Sequence, residues 1–264
     1  AFIQFINKTP PIGKSLICID NKNIKNILTK IKNKNILTYG FNKKANYRIS
    51  NPKYNATHSL FDLHYRNLDN NKVIIKNINL KLIGEHNVLN ASAAIAVCIN
   101  LGVKIDIIKK ALRHFSGVQR RMTKIFTKNK NEFFDDYAHH PTEISSILEG
   151  VNKVYNRRKI ITVFEPHRYS RVMSLKQAFS KSFIKSDLVL ICPMYAAGEK
   201  KNSSFSLLNF AKLISKNSKT QTIIVKNKKE LSNYFKKNLV SDEIIIGMGA
   251  GSISQWMKEL KFSL

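Results

Sequence analysis

Residues 133–144, FFDDYAHHPTEI, combine acids and imidazoles in a pattern suited to ligand binding: Asp135, Asp136, His139 and His140. The apolar run before them predicts a buried strand, and the following proline predicts a helix start. A carboxylate at a strand end can hold a ribose hydroxyl or a magnesium-bound group, and imidazoles can position an anionic substrate. Because the adjacent His139 and His140 side chains diverge, we expect no closed tetrahedral zinc site and assign no metal ligand. Asp136, Tyr137, His139 and His140 are therefore the candidate ligand contacts at this strand end.

The segment FEPHRYSR repeats this arrangement one strand later and contributes four candidate residues: Glu165, His167, Arg168 and Arg171. Arg168 and Arg171 are three residues apart. A helical turn beginning there would place both guanidinium groups on one face, as a clamp on a small carboxylate requires.

A third segment, GEHNVLNASAAIAVC, places His86, Asn87 and Asn90 at a strand-to-helix turn. Asn87 and Asn90 share a helix face, and amides there can pair with the edge of a base. The alternative is that Asn87 caps the helix and that the alanines allow close packing.

Two further segments are candidates for binding anions. SGVQRRMTKIF contains Arg120 and Arg121, and an arginine there could reach a phosphate, although paired arginines are unremarkable in a chain this basic. GMGAGS, residues 247–252, predicts a glycine turn whose backbone amides could face an anion, and a tight strand-to-helix connection is its simpler explanation.

The elements that position these residues in the back half follow a regular alternation. Apolar β-branched runs such as KIITVFEP, LVLICPM and EIIIGMG are separated by amphipathic helical patterns. This alternation predicts a mostly parallel sheet covered on both faces, a Rossmann-like α/β domain over residues 117–264. Ligands of such sheets bind beyond the carboxyl ends of the strands, where the candidate residues of this half lie.

The front half, residues 1–116, has a different pattern. A strand-helix-strand start is followed by several β-type segments and then by two helices, NVLNASAAIAVCINLG and IDIIKKALRHF. We expect Gly117 to cap the second helix and to mark the domain junction.

Composition limits the remaining possibilities. The net charge of +28, with no acid between Asp20 and Asp62, suggests a nucleic-acid binder. Against this, the lysines are spread over the whole chain and no aromatic stacking platform lies among them, so we expect no specific nucleic-acid partner. No apolar run approaches the ~20 residues of a membrane span, and the three cysteines show no metal or disulfide spacing. We therefore expect a soluble, cytoplasmic chain without a membrane partner.

Taken together, these segments resemble the Mur ligase family, the ATP-dependent amino-acid ligases of peptidoglycan precursor synthesis. GEHNVLNASAAIA is similar to the family's ATPase-domain helix, RRM to its phosphate-binding arginine, and DDYAHHPTEI to the first strand-to-helix turn of its C-terminal domain. The resemblance covers essentially the whole chain. It implies the latter part of the central ATP-binding domain in residues 1–116 and the C-terminal domain in residues 117–264.

Within the family, DDYAHHPTEI, FEPHRYSR and YAAGE resemble the branch that adds L-alanine to UDP-N-acetylmuramate. The murein-peptide branch carries an Arg-Ser-Asn-Thr type sequence in place of HRYSR. The family's UDP-sugar domain and glycine-rich P-loop are not found, since the Gly-Lys-Ser of PPIGKS lacks the leading glycine. We expect that this chain alone binds ATP weakly and does not catalyse ligation.

The resemblance implies roles for ten residues, with ATP and Mg2+ as cofactors. Asn87 and Asn90 would hold adenine near His86. Arg121 would hold the phosphates, and Asp136 the nucleotide side of the cleft. The remaining residues would receive L-alanine and the sugar-lactyl carboxylate of UDP-N-acetylmuramate: Tyr137, His139, His167, Arg168 and Arg171. Catalysis would depend on five of the ten, namely Arg121, Asp136, His139, Arg168 and Arg171. Most magnesium ligands would lie in the family's N-terminal part, which includes the P-loop.

Three alternatives stay open from the sequence. The chain could be a non-catalytic remnant or binding module of a split ligase, or a murein-peptide ligase. A nucleic-acid binder built on the basic stretch 21–61 is the third. The oligomeric state is not indicated by any pattern.

Overall fold

The computed structural model describes residues 1–55, 57–155 and 157–264. These residues form two compact units, residues 1–116 and 117–264, which are described separately. The predicted α/β class, with a mostly parallel sheet in the back half, is confirmed.

The described part of the first unit forms a five-stranded sheet in chain order, with parallel pairing among its first three strands and antiparallel pairing among its last three. Its strands are β1 Ser15–Cys18, β2 Ile36–Gly40, β3 Tyr47–Tyr54, β4 Ser59–Arg66 and β5 Lys72–Leu80. Its helices are α1 Phe2–Asn7, α2 Lys22–Leu28, α3 Glu85–Asn100 and α4 Ile105–His114.

One face of this sheet is apolar because side chains alternate along a strand. Ile49 of β3 and Leu63 of β4 pair across the strands, are buried, and belong to one cluster with Val88 and Ile95 of α3. The opposite face is polar. This half-buried character explains why the sequence shows alternation here instead of continuous apolar runs.

The end of α4 corrects one expectation. The helix stops at His114 with Phe115 as its C-cap residue, so Gly117 does not cap it. Gly117 has φ of 92°, two residues further on, and begins the second unit.

The second unit has a six-stranded sheet in its described residues, in the order β10-β9-β8-β11-β7-β6. All neighbouring pairs are parallel except β6 with β7. The strands are β6 Thr123–Lys128, β7 Asn131–Asp136, β8 Ile160–Phe164, β9 Leu188–Ile191, β10 Gln221–Ile224 and β11 Ile244–Met248.

Helices cover both faces of this sheet, which explains the continuous apolar strands. Every residue of β8, β9 and β11 is buried, and two apolar clusters lie on opposite sides of the sheet. The helices are α5 Pro141–Val154, α6 Tyr169–Ser174, α7 Lys176–Ser180, α8 Leu207–Ser218, α9 Lys228–Asn238 and α10 Ile253–Ser263. In the described part of the chain, no helix has both the length and the apolar character needed to traverse a bilayer.

Candidate functional site

The strand order of the second unit brings the candidate residues to one sheet edge. β11 lies between β7 and β8 and runs parallel to both. The connections from β7 to β8, β9 and β10 proceed in one direction across the sheet, and the chain then returns to place β11 between β7 and β8. Such a reversal is a topological switch point, and it opens a crevice at the carboxyl ends of the strands. The segments that follow β7, β8 and β11 all begin at this crevice.

Four aromatic side chains form a row there, which we call the ring row: Tyr137, His139, His167 and Tyr195. The Tyr137 and His139 ring centroids are 5.1 Å apart, and those of His139 and His167 are 5.6 Å apart. His167 stacks on Tyr195 at 5.3 Å with an angle of 15° between the planes. The ring row brings together three residues that the sequence predicted as substrate contacts.

Hydrogen bonds set the tautomers of the two imidazoles in this row. His139 Nδ1 is 2.8 Å from the Tyr137 carbonyl oxygen, which can only accept, so His139 Nδ1 carries the proton. The Arg171 guanidinium donates to His167 Nδ1 at 3.2 Å, so that nitrogen is an acceptor and Nε2 of His167 carries the proton.

His167 is held in its neutral form. Burial lowers the pKa of His167, and electrostatic interactions with Arg171, His139 and Arg168 lower it further, while Glu199 opposes the shift. A neutral imidazole with a fixed Nε2–H is a hydrogen-bond donor that does not repel the neighbouring guanidinium groups.

Arg168 differs from its expected conformation. It precedes α6 as the N-cap residue at φ 66°, so the helical turn begins at Tyr169 and not at Arg168 as the predicted clamp assumed. Its backbone N–H donates to the Tyr195 carbonyl at 2.9 Å, which ties the turn to the segment after β9. The Arg168 side chain remains exposed.

Asp136 is buried, with 1% of its surface exposed, and both carboxylate oxygens accept backbone hydrogen bonds. The N–H groups of Met122 and Ala138 donate at 2.8 and 2.7 Å. Burial is the main cause that raises the pKa of Asp136 to about 6. The carboxylate thus holds the turn before β6 and the turn after β7 in place.

The two neighbouring arginines have different surroundings. Arg120 donates to the Gly249 carbonyl at 2.6 Å, lies 3.8 Å from the Asp135 carboxylate and covers the Tyr137 ring at 4.6 Å. Arg121 is exposed. Arg121 is therefore the one of the pair whose side chain is available to a ligand, and its contact with the phosphates stays a prediction.

His140 has a local structural role. Its Nδ1 accepts from the Thr142 N–H at 3.3 Å, and the Glu143 carboxylate accepts from the His139 and His140 N–H groups at 3.1 and 3.2 Å. This capping box starts α5 at Pro141, as the sequence predicted, and engages the His140 ring at the helix N-terminus.

The glycine turn before α10 faces the carboxylate of Glu165, a residue of the same chain. One Glu165 carboxylate oxygen accepts from the Ser252 hydroxyl at 2.5 Å and its N–H at 3.2 Å, and the other accepts from the Ile253 N–H at 3.4 Å. The predicted strand-turn-helix geometry is present. An external anion is not needed there, because Glu165, 3% exposed, supplies the charge.

The nucleotide candidates lie in the first unit, at the start of α3. Asn87 is buried and its side-chain amide donates to the Ile83 carbonyl at 2.9 Å, whereas Asn90 is exposed. The His86 ring lies against Gly84, where an added Cβ would be 3.0 Å from it. Asn90 is thus the more available of the two amides, while Asn87 has its carbonyl oxygen left to accept.

Sequence reasoning assigned no role to two residues of this crevice. Tyr195 stacks on His167, and Glu199 accepts from the Ser170 hydroxyl and N–H at 2.5 and 3.0 Å. Both belong to YAAGE, which follows β9, the strand next to β8. Because parallel neighbouring strands end at the same sheet edge, the position of YAAGE shortly after β9 could have identified Tyr195 and Glu199 as residues of this crevice.

The arrangement is suited to holding a carboxylate. Arg168, Arg171 and the Nε2–H of His167 belong to the segment that follows β8, and the ring row forms an aromatic wall there. The residues present do not fit a magnesium site: no group of three metal-ligating side chains occurs in residues 1–55, 57–155 and 157–264, and Asp136 is already engaged by the backbone.

Comparison with known proteins gives two family matches. Residues 1–98 match the Mur ligase middle domain, and residues 120–251 match the Mur ligase glutamate ligase domain.

Among individual relatives, a UDP-N-acetylmuramate--L-alanine ligase of Pelagibacter ubique is 48% identical over 98% of this chain and 56% of the relative. A protein of the same name from Hydrogenobaculum is 37% identical over 98% of this chain and 55% of the relative. The chain therefore spans a little over half the length of the curated relatives it matches.

Solved structures share the fold. UDP-N-acetylmuramate-alanine ligase of Thermotoga maritima matches with a TM-score of 0.67 and 26% identity, over 86% of this chain and 47% of that one. A murein peptide ligase of Psychrobacter arcticus matches with a TM-score of 0.71 and 21% identity, over 99% of this chain and 53% of that one. With both of its parts matched in family order, the chain belongs to the Mur ligase family.

Proposed function

We propose that this chain is the middle and C-terminal part of a cytoplasmic, ATP-dependent ligase that joins L-alanine to UDP-N-acetylmuramate. Residues 1–116 are the latter part of the ATP-binding domain and residues 117–264 the C-terminal domain. The observation that carries the proposal is the guanidinium pair beside a neutral His167 at the switch point, in a chain whose relatives bear that ligase's name.

The reaction transfers the γ-phosphoryl group of ATP to the substrate carboxylate, which gives an acyl phosphate and ADP. The amine of alanine then attacks the acyl carbon, the C–N bond forms, the C–O bond to phosphate breaks, and the amine loses a proton. Mg2+, when bound, neutralises phosphoryl charge. The protein's part is to bind, orient and exclude water from the activated carboxylate.

Arg168 and Arg171 hold a carboxylate of the substrates in this proposal. Because Arg171 also donates to His167, the imidazole and the guanidinium are fixed relative to one another before a ligand arrives. Preorganised donors of this kind lose little rotational freedom on binding. Tyr137 and His139 form the opposite end of the ring row from Tyr195 and bound the space that alanine occupies.

In the nucleotide part of the proposal, Asn87 and Asn90 read the adenine edge near His86, and Arg121 binds the phosphates. Asp136 acts through the backbone that it holds. Because it accepts from the Met122 N–H, directly after Arg121, it positions that arginine. The described residues alone do not assemble a magnesium site, and the chain without a P-loop is inactive in this proposal.

The test is ATP-dependent phosphate release with UDP-N-acetylmuramate and L-alanine. The chain is assayed alone and together with the N-terminal part of the Pelagibacter ubique relative. Release by the mixture only is expected. An Arg168→Ala chain should lower release in the mixture by at least about 100-fold, and Arg157→Ala, an exposed arginine of the same unit, should not.

Other outcomes separate the alternatives. Release by the chain alone contradicts the proposed inactivity. Binding of the N-terminal part without release indicates a binding module. Release only when a murein tripeptide replaces alanine indicates a murein-peptide ligase.

A further inference from the structure

A second concave site lies in the first unit, away from the start of α3. It is a groove of about 440 Å³ over β3, β4 and β5. Four cations line it, and we call it the basic groove: Lys43, Arg48, Arg66 and Lys72. Its volume lies within the range of small-ligand sites, roughly 300–1,000 Å³.

The strand register places like charges together. Arg66 of β4 is directly opposite Lys72 of β5, and Arg48 of β3 is directly opposite His64, two residues from Arg66 on the same face. Directly opposed like charges destabilise an antiparallel pair. A bound anion would remove this repulsion.

No carboxylate neutralises the basic groove. Among residues 1–55, 57–155 and 157–264, none of its four cations lies within ion-pair distance of an acid. Arg66 donates to the Asn70 carbonyl at 2.9 Å, which fixes its guanidinium without neutralising it. Asp62, the acid nearest to His64 on β4, accepts from the Asn51 amide and the Asn77 N–H, both at 2.8 Å.

His64 adds to the polar wall without adding charge. Its Nε2 lies 2.6 Å from the Ser50 hydroxyl. Burial and the Arg48 charge lower the pKa of His64, and Asp62 opposes them. The charge of the groove thus comes from its two arginines and two lysines.

The lining also has an apolar part, formed by Leu37, Val73 and Ile74. Ile74 is 48% exposed, so apolar surface is open to a ligand beside the cations. A site with clustered cations and exposed apolar surface at Ile74 suits an organic molecule with an anionic group at one end. Arginine pairs bind phosphate oxygens in a fork geometry, which makes phosphate groups the best match.

We propose that the basic groove is a binding site for a diphosphate-bearing small molecule, separate from the residues assigned to the ligase reaction. A diphosphate presents several acceptor oxygens over the short span that Arg48, Arg66 and Lys72 cover. A single-stranded nucleic acid fits less well, because the Tyr65 ring is already stacked on Tyr47 at 5.5 Å and 14°.

The test is calorimetric titration of the whole chain with inorganic pyrophosphate at low and high salt. Saturable one-site binding that weakens with salt is expected. The Arg48→Gln/Arg66→Gln double variant should bind at least about tenfold more weakly. The matched control is Lys22→Gln/Lys25→Gln, which removes the same charge from exposed positions of α2 and should bind as the unchanged chain does.

Three results would overturn the proposal. They are no saturable binding, an equal loss in the control variant, or oligouridylate binding through the same arginines more tightly than pyrophosphate. Thermal unfolding tests whether the double variant is correctly folded. Without pyrophosphate its melting temperature should equal or exceed that of the unchanged chain, since repulsion is removed, and pyrophosphate should raise only that of the unchanged chain.

Discussion

The Arg120 guanidinium lies over the Tyr137 ring at 4.6 Å, while the Arg120 carbonyl accepts the Tyr137 N–H at 2.8 Å. The two residues are thus joined through side chain and backbone. Arg120 adopts φ of 62° to do this, a conformation that costs a non-glycine residue free energy. The contacts with Tyr137, Gly249 and Asp135 offset that cost and hold the turn before β6 against the ends of β7 and β11.

Replacing Arg120 by alanine should destabilise the second unit. It removes the donor to Gly249 and the cation beside Asp135, whose carboxylate is almost fully buried. A loss of about 2 kcal/mol in the free energy of unfolding is expected. Urea unfolding followed by fluorescence of Trp256, the single tryptophan and a residue of α10, measures it. Arg121→Ala is the control and should change stability little; equal losses in both variants would contradict this account.

Asp136 should give the second unit a pH-dependent stability. Because burial raises its pKa to about 6, the folded state binds the proton more tightly than the unfolded chain does. The free energy of unfolding therefore falls as pH rises between about 4 and 6, by up to about 3 kcal/mol, and stays lower above that range. Subtracting the urea stability of Asp136→Asn at each pH isolates this titration. A pH-independent difference between the two proteins would contradict the prediction.

The sequence predicted the parts of the site that depend on local pattern. Buried β-branched runs end at Asp136 and before Glu165, and Pro141 begins a helix, because strand burial and helix starts are encoded by neighbouring residues. Parallel strands then bring such ends to one edge. This is why Tyr137 and His167 were correctly placed at the same crevice.

What the sequence did not predict depends on distant partners. The Arg120 side chain donates to a carbonyl 129 residues away, and Glu165 caps a helix that begins 88 residues later. Neither pairing follows from local propensity, so the residue pattern alone did not distinguish Arg120 from Arg121, and only the family resemblance favoured Arg121. For the same reason, the sequence predicted the glycine turn before α10 as a tight strand-to-helix connection but did not identify Glu165 as the anion that its amides face. The positive φ of Arg168 also overrides the helical spacing from which its clamp with Arg171 was predicted.

The charges around His167 should move its pKa in opposite directions. Arg171 lowers the pKa of His167 and Glu199 raises it, so Arg171→Gln should raise that pKa and Glu199→Gln should lower it further. Nuclear magnetic resonance titration of the imidazole signals measures both, with His167→Gln to assign the resonance. Arg157→Gln, an exposed site of the same unit, changes the net charge equally and should leave the pKa unchanged. Shifts of the same sign in both variants would rule out the direct electrostatic account.

Gly251 should be required for the His167–Tyr195 stack. A Cβ at this position would lie 2.4 Å from the Tyr195 ring and 2.5 Å from the Glu165 carboxylate, both too close for non-bonded atoms. Gly251→Ala must therefore displace one of them, which separates Tyr195 from His167 or Glu165 from the start of α10. A loss of about 1–3 kcal/mol in the free energy of unfolding is expected.

The Gly251→Ala measurement combines Trp256-monitored urea unfolding with the His167 imidazole resonance, which should shift as the Tyr195 ring moves. Gly102→Ala is the control, because it introduces backbone strain without steric overlap. Gly102 has φ of 78° and no atom within 4 Å of an added Cβ, so its variant carries only the conformational cost, about 1 kcal/mol. Its His167 resonance should be unchanged. If Gly251→Ala also leaves that resonance in place and retains full stability, the close packing of Tyr195 and Glu165 around Gly251 does not position the ring row.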